Sequence, residues 1–165
     1  MASGSGQGAE IHCTLILPLV GRRVLMQLRD DIPGIYYPGE WGYFGGTVEP
    51  GETVLAGAFR ELEEEIGYRP AALQPLDARY ILDHQRWITL HSFTCPLTCP
   101  LEALVLGEGM DFDLVSAAEF HGGTKLSRRF GRPYPIQRST HVRAVFDLAL
   151  RRAEAMPGQA VPTEG

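Results

Sequence analysis

A chain of 165 residues, 44% hydrophobic and 21% charged, is long enough to bury a core as one domain. Its net charge of −5 excludes the broad basic footprint of a nucleic-acid binder, and no apolar run approaches membrane-spanning length. Three cysteines, Cys13, Cys95 and Cys99, do not make a disulfide framework or a zinc set, so a cytoplasmic protein is the expectation.

Residues 1–9, Gly/Ser-rich, and 157–165 are expected to be disordered tails around a single domain at 10–156. Ile11 to Val20 is rich in β-formers, and Gly21-Arg22-Arg23 turns it into a partner at Val24 to Leu28. Asp30 to Glu40, with two prolines and two glycines, is a loop. Trp41 to Gly46 is a short strand ending in a glycine pair, and Thr53 to Ile66 a helix stopped by Gly67. Leu76 to Leu82 and Trp87 to Leu97 are strands joined at Asp83 to Arg86, followed by a short apolar run at Leu101 to Leu106. Ser116 and Glu119 form a capping box for a short helix. Gly122 to Pro135 is an irregular loop, and the basic stretch from Lys125 to Arg138 is better explained as a solvated surface than as a phosphate site. Ser139 to Ala155 is a second long helix with Val142, Val145, Phe146, Ala149 and Leu150 on one side. The pattern implies an α/β (α+β) fold, a mixed sheet between helices.

The acids Glu61, Glu63, Glu64 and Glu65 crowd the end of the first long helix. The helix dipole is negative there, and like charges three and four apart repel, so a divalent cation is the obvious counter-charge. At about 100° per residue, Glu61, Glu64 and Glu65 share a face and Glu63 points away. Leu55, Phe59, Leu62 and Ile66 form the stripe expected to dock the helix. Gly57 stands on the acid face, which calls either for tight packing or for room beside a phosphate.

The spacing upstream decides between a solvated acidic helix end and a site. The chain runs Gly46, five residues, Glu52, seven residues, Arg60-Glu61-Leu62, one residue, Glu64-Glu65, one residue, Gly67, then Tyr68. This resembles the Nudix box, departing only at Tyr68, where the family has an aliphatic residue. The resemblance implies a Nudix-like α/β/α fold and hydrolysis of a nucleoside diphosphate linked to another group, with Mg²⁺, or Mn²⁺, required. It implies Glu61, Glu64 and Glu65 as metal ligands with the Gly45 carbonyl, and Arg60 and Glu52 as braces. The general base is a box glutamate or an acid from a later loop. Glu108, flanked by glycines, is the first candidate there, ahead of Glu102 and Asp111. Arg29, Tyr37, Trp41 and Phe44 are the candidate substrate-binding residues, and Tyr36 and Trp87 are further aromatics able to stack on a base. The expected partner is a small nucleotide, a nucleoside triphosphate or nucleotide sugar, with neither nucleic acid nor membrane, and with a homodimer as an option. Two alternatives remain: a Nudix-fold module that senses a nucleotide without turnover, and an unrelated acidic Ca²⁺ binder.

Overall fold

The computed structural model describes residues 9–155; the expected tails lie outside them, apart from Ala9. The elements are β1 (Ile11–Val20), β2 (Arg23–Leu28), β3 (Trp41–Gly42), α1 (Val54–Ile66), β4 (Gln74–Asp83), β5 (Arg86–Pro96), β6 (Asp111–Val115), α2 (Ala117–Gly122), β7 (Thr124–Ser127), β8 (Arg132–Pro135) and α3 (Thr140–Glu154). Within the apolar run after β5 there is a single 3₁₀ turn, Leu101–Ala103, and no strand.

Five strands lie in the order β3-β2-β1-β5-β4, and β6 pairs with the other edge of β2. The sheet is mixed: β1 runs parallel to β5, from Ile11 opposite Ile88 to Leu19 opposite Pro96, while β4–β5 and β2–β6 are antiparallel. Successive strand side chains point to opposite faces. Leu17 and Met26 therefore join Trp41, Phe120 and Phe146 in one cluster with α2 and α3, and Ile16 and Leu25 join Phe44, Leu62 and Ile66 in another with α1. With both faces covered, β1 and β2 are apolar along most of their length instead of alternating.

α1 starts where the Thr53 side chain accepts from the Ala56 N–H and ends at Gly67, whose φ of 64° is left-handed. Its docking stripe is Ala58, Leu62 and Ile66, not one that begins at Leu55, which is 46% exposed. In the first turn it is Val54, not Leu55, that packs against the core.

Two parts of the chain depart from expectation. β6 was not foreseen because Asp111 and Asp113 alternate with Phe112 and Leu114; aspartate disfavours strands, and pairing to β2 overrides that preference. The segment expected to be a loop at 122–135 contains the β7–β8 hairpin, turned at Gly131 (φ 66°). Its Lys125 is not solvated either: it is buried, with Nζ 3.2 Å from Asp113 and 2.9 Å from Glu119.

Candidate functional site

The site begins at the glycine pair. The segment after β3 runs along β1, where Ile16 N–H donates to Phe44 O and Thr14 N–H to Gly46 O. A Cβ on Gly45 (φ 133°) would lie 2.7 Å from the Thr14 carbonyl carbon, and closer to its oxygen. A Cβ on Gly46 would lie 2.6 Å from Glu61 Oε1. Gly45 does not tolerate a side chain, because backbone stands in the way, and its absence lets the segment lie on β1; a side chain at Gly46 would turn the Glu61 carboxylate aside from the backbone it now reaches.

Arg60 ties this segment to α1. Its Nε and Nη2 donate to the two oxygens of Glu52 at 2.8 and 3.0 Å, a bidentate pair. Its Nη1 donates to Glu61 at 2.8 Å and to Glu64 at 3.3 Å, and Nη2 also reaches the Thr47 carbonyl. The bond from Arg60 holds the Glu52 carboxyl below its ordinary range. Gly57 belongs to the same brace, since a Cβ there would stand 3.0 Å from Glu52 Oε2 and 3.4 Å from Val48. Of the two explanations for this glycine, tight packing is the one seen. Glu63 points away from the cluster and pairs with Arg69.

Glu65 is buried at the base of the acid face. Its oxygens accept from Gln27 Nε2 at 2.7 Å and from the Gly45 N–H at 2.8 Å. Burial pushes its carboxyl up to about 8, with the charges of Glu61 and Glu108 adding to the rise and these two bonds opposing it. Burial also raises Glu61, against the pull of Arg60. Gln27 was missed in the sequence, although a lone polar residue inside the apolar run Val24-Leu25-Met26-Gln27-Leu28 is a visible signal. Gln27→Leu is expected to destabilise the protein by about 1–3 kcal/mol by leaving a buried carboxyl short of a donor, as measured by urea unfolding. An unchanged midpoint would show that water replaces the amide.

Glu108 comes to the cluster on the backbone. Val105 N–H donates to Ile66 O and Gly107 N–H to Glu65 O, which seals the end of α1. Gly107 has no room for a Cβ, which would sit 3.2 Å from the Glu64 carbonyl carbon and nearer its oxygen. Glu108 itself is exposed, and its charge raises both Glu61 and Glu65. Asp111 is engaged elsewhere, accepting from Ser127 Oγ at 2.6 Å.

Beside the glycine pair is a cleft of about 290 Å³, and Arg29 and Tyr37 line it. Trp41 and Phe44, expected as substrate-binding residues, do not line it. Both are fully buried: Trp41 donates from Nε1 to the Lys125 carbonyl, and Phe44 packs in the α1-side core. Large aromatic rings on a central, two-sided sheet serve the core first. Trp87 stacks on Tyr80 at 4.9 Å, outside the cleft, whereas Tyr36 lines it.

The model of the NUDIX domain family matches residues 13–144. The chain belongs to the Nudix family. The Nudix box thus forms the end of β1's neighbouring segment, the braced loop and α1. Among curated relatives, nucleoside triphosphatase NudI of Escherichia coli is 40% identical over 57 residues, 33% of this chain and 39% of NudI. The match therefore spans about two fifths of the length of that relative. Among solved structures, the MutT protein of Methanosarcina mazei Go1 has a TM-score of 0.65 at 19% identity, covering 92% of this chain and 100% of its own. The NUDIX domain of Shewanella oneidensis NrtR, complexed with ADP ribose, has a TM-score of 0.66 at 16% identity, covering 92% and 93%. At such identities these likenesses establish the fold.

Nudix hydrolases generally use divalent metal ions, and the acid face can be tested for one. Its donors are all carboxyl oxygens, and on top of burial their mutual repulsion raises Glu61 and Glu65, which suits a hard cation. The side chains are nonetheless drawn to Arg60, Gln27 and Gly45, and no three His, Cys, Asp or Glu among the described residues are gathered on one point. The residues fit the ion in kind.

Proposed function

We propose that this Nudix chain is a Mg²⁺-dependent pyrophosphohydrolase, with Mn²⁺ as a substitute, acting on a nucleoside diphosphate linked to another group. Nucleoside triphosphates and nucleotide sugars are the two substrate classes. One observation carries the reading: Glu61 and Glu65 reach a glycine pair that also forms one wall of the cleft, and the charges of Glu64 and Glu108 act on those two acids. The triphosphatase activity in the name of NudI favours the first class.

Held by Glu61, Glu64, Glu65 and the Gly45 carbonyl, the ion would offset phosphate charge and make water more acidic. The protein's own groups do the rest. Arg60 positions Glu61 and Glu64 and, through Glu52, fixes the loop before α1. The cleft holds the nucleoside so that its phosphates run over Gly45 and Gly46. Water attacks phosphorus, the bridging P–O bond breaks, and the leaving phosphate takes the electron pair. The water's proton passes to an exposed carboxylate, Glu64 or Glu108.

Purified protein should release phosphate or pyrophosphate from at least one member of a nucleotide and nucleotide-sugar panel with Mg²⁺. Chelation should abolish the release and added Mg²⁺ restore it. A protein inert across the panel would sink the proposal. A second reading, a module that binds a nucleotide without turnover, is favoured by the turn of Glu61 and Glu64 onto Arg60. It predicts thermal stabilisation by a nucleotide that mass spectrometry recovers intact. The reading places the protein in the cytoplasm, in keeping with free Cys13, Cys95 and Cys99, and no described helix is long and apolar enough to cross a membrane. A homodimer is an option that solution mass would decide.

A further inference from the structure

One wall of the cleft carries an arginine whose side chain is not fully paired. Arg86 Nε is buried with no hydrogen-bond partner, the only such side-chain atom among the described residues. Arg86 lines the cleft together with Asp83, and the two are direct partners in the β4–β5 register, closing a hairpin through His84 and Gln85. Directly opposed strand residues present their side chains on one face. Ile81, Ile88 and Leu90 lie beside them and make the floor apolar.

The backbone here is distinctive. Among the described residues, the non-glycine positions with left-handed φ are Tyr37 (55°), His84 (43°) and Gln85 (66°), and all are at this hairpin or the loop facing it. His84 and Gln85 take the left-handed φ that a two-residue hairpin turn calls for, and Tyr37 carries a local cost on the order of 1 kcal/mol. At this site they hold a defined arrangement. Tyr37 Oη donates to Asp83 Oδ1 at 3.0 Å, His84 stacks on Tyr36 at 4.1 Å, and Arg86 Cζ lies 5.2 Å from the Tyr36 ring centre.

We propose that Asp83 and Arg86 form the base-reading pair of this cleft and select guanine or cytosine nucleotides over those of adenine and uracil or thymine. This rests on the reading that the cleft holds a nucleoside. A guanidinium offers parallel N–H donors and no acceptor, so Arg86 calls for two neighbouring acceptors. Asp83 as a carboxylate offers only acceptors; Oδ1 holds Tyr37, which leaves Oδ2 for a donor. The matching ligand edge reads acceptor, acceptor, donor. Guanine has it in N7, O6 and N1–H, and cytosine in O2, N3 and the N4 amino group. In adenine and in uracil or thymine a donor separates the acceptors, so one arm of the fork faces a donor or nothing.

The test is calorimetric titration of the full chain with GMP, CMP, AMP and UMP, which contain no anhydride bond and report binding apart from turnover. GMP or CMP should bind at least about tenfold more tightly than AMP and UMP. Arg86→Lys, which keeps the charge and loses the fork, should erase that preference, as should Asp83→Asn. The unfolding temperature of each variant without ligand separates lost recognition from a lost fold, and either variant alone suffices to decide. Equal affinity for the four nucleotides, no binding by any, or a preference that survives both substitutions overturns the pairing. Base preference without hydrolysis counts against the pyrophosphohydrolase reading alone, and hydrolysis without base preference counts against this inference alone.

Discussion

Glu64→Gln should lower hydrolysis about 10²–10³-fold, the scale of one electrostatic group that acts on a transition state, and leave the unfolding temperature unchanged. The contrast comes from where the residue sits. Glu64 is 51% exposed and its single tie is the 3.3 Å contact to Arg60 within one helical turn. Exposed pairs of this spacing are worth about 0.3–0.5 kcal/mol, so the fold loses little. Glutamine keeps the shape and can still accept from Arg60; what disappears is negative charge on the acid face. Initial rates and a melting curve on the same preparation check both halves. A rate within tenfold of the unaltered protein would take Glu64 out of the chemistry and shift the burden to Glu61, Glu65 and Glu108.

Gly45→Ala should cost about 3 kcal/mol and lower the melting temperature by about 10 °C, at the upper end of overpacking effects. The new Cβ would meet the backbone of Thr14, which is fixed in β1 with neighbours on both sides and cannot move aside. Gly51→Ala is the matched control. Gly51 is also left-handed, at φ 80°, but has nothing within 4 Å of its would-be Cβ, so only the conformational cost of about 1 kcal/mol remains. A Gly45 variant as stable as the Gly51 variant would mean that β1 yields to the new methyl group. A Gly45 variant that cannot be recovered folded points the same way as a large loss.

The spacing of Glu61, Glu64 and Glu65 was readable because helical geometry alone places them on one face, whereas the pairing of Glu52 with Arg60 was legible only through the resemblance to the Nudix box. The cleft was not readable. Asp83 and Arg86 flank one hairpin turn, but Gln137 and His141 come from a distant segment, and no local pattern reports that the four share a wall. Trp41 and Phe44 misled for a related reason: an aromatic residue near a site looks the same in sequence whether it faces ligand or core. α3 was readable in full, since Val142, Val145, Phe146, Ala149 and Leu150 repeat with helical period and all are buried. β6 depends on a partner far along the chain, and β7–β8 is a local hairpin whose two prolines, Pro133 and Pro135, argue against a strand.

The bonds from Val105 and Gly107 to the end of α1 join acids from two distant stretches through main-chain atoms alone. Exposed side chains between 101 and 106, such as Glu102 and Val105, can then drift in descendants of this sequence without moving Glu108, provided Gly107 and the buried Leu104 stay. The count of residues cannot drift in the same way. One residue gained or lost between Gly107 and Glu108 would change the direction in which that carboxylate leaves the backbone, so this loop should accept substitution far more readily than insertion or deletion.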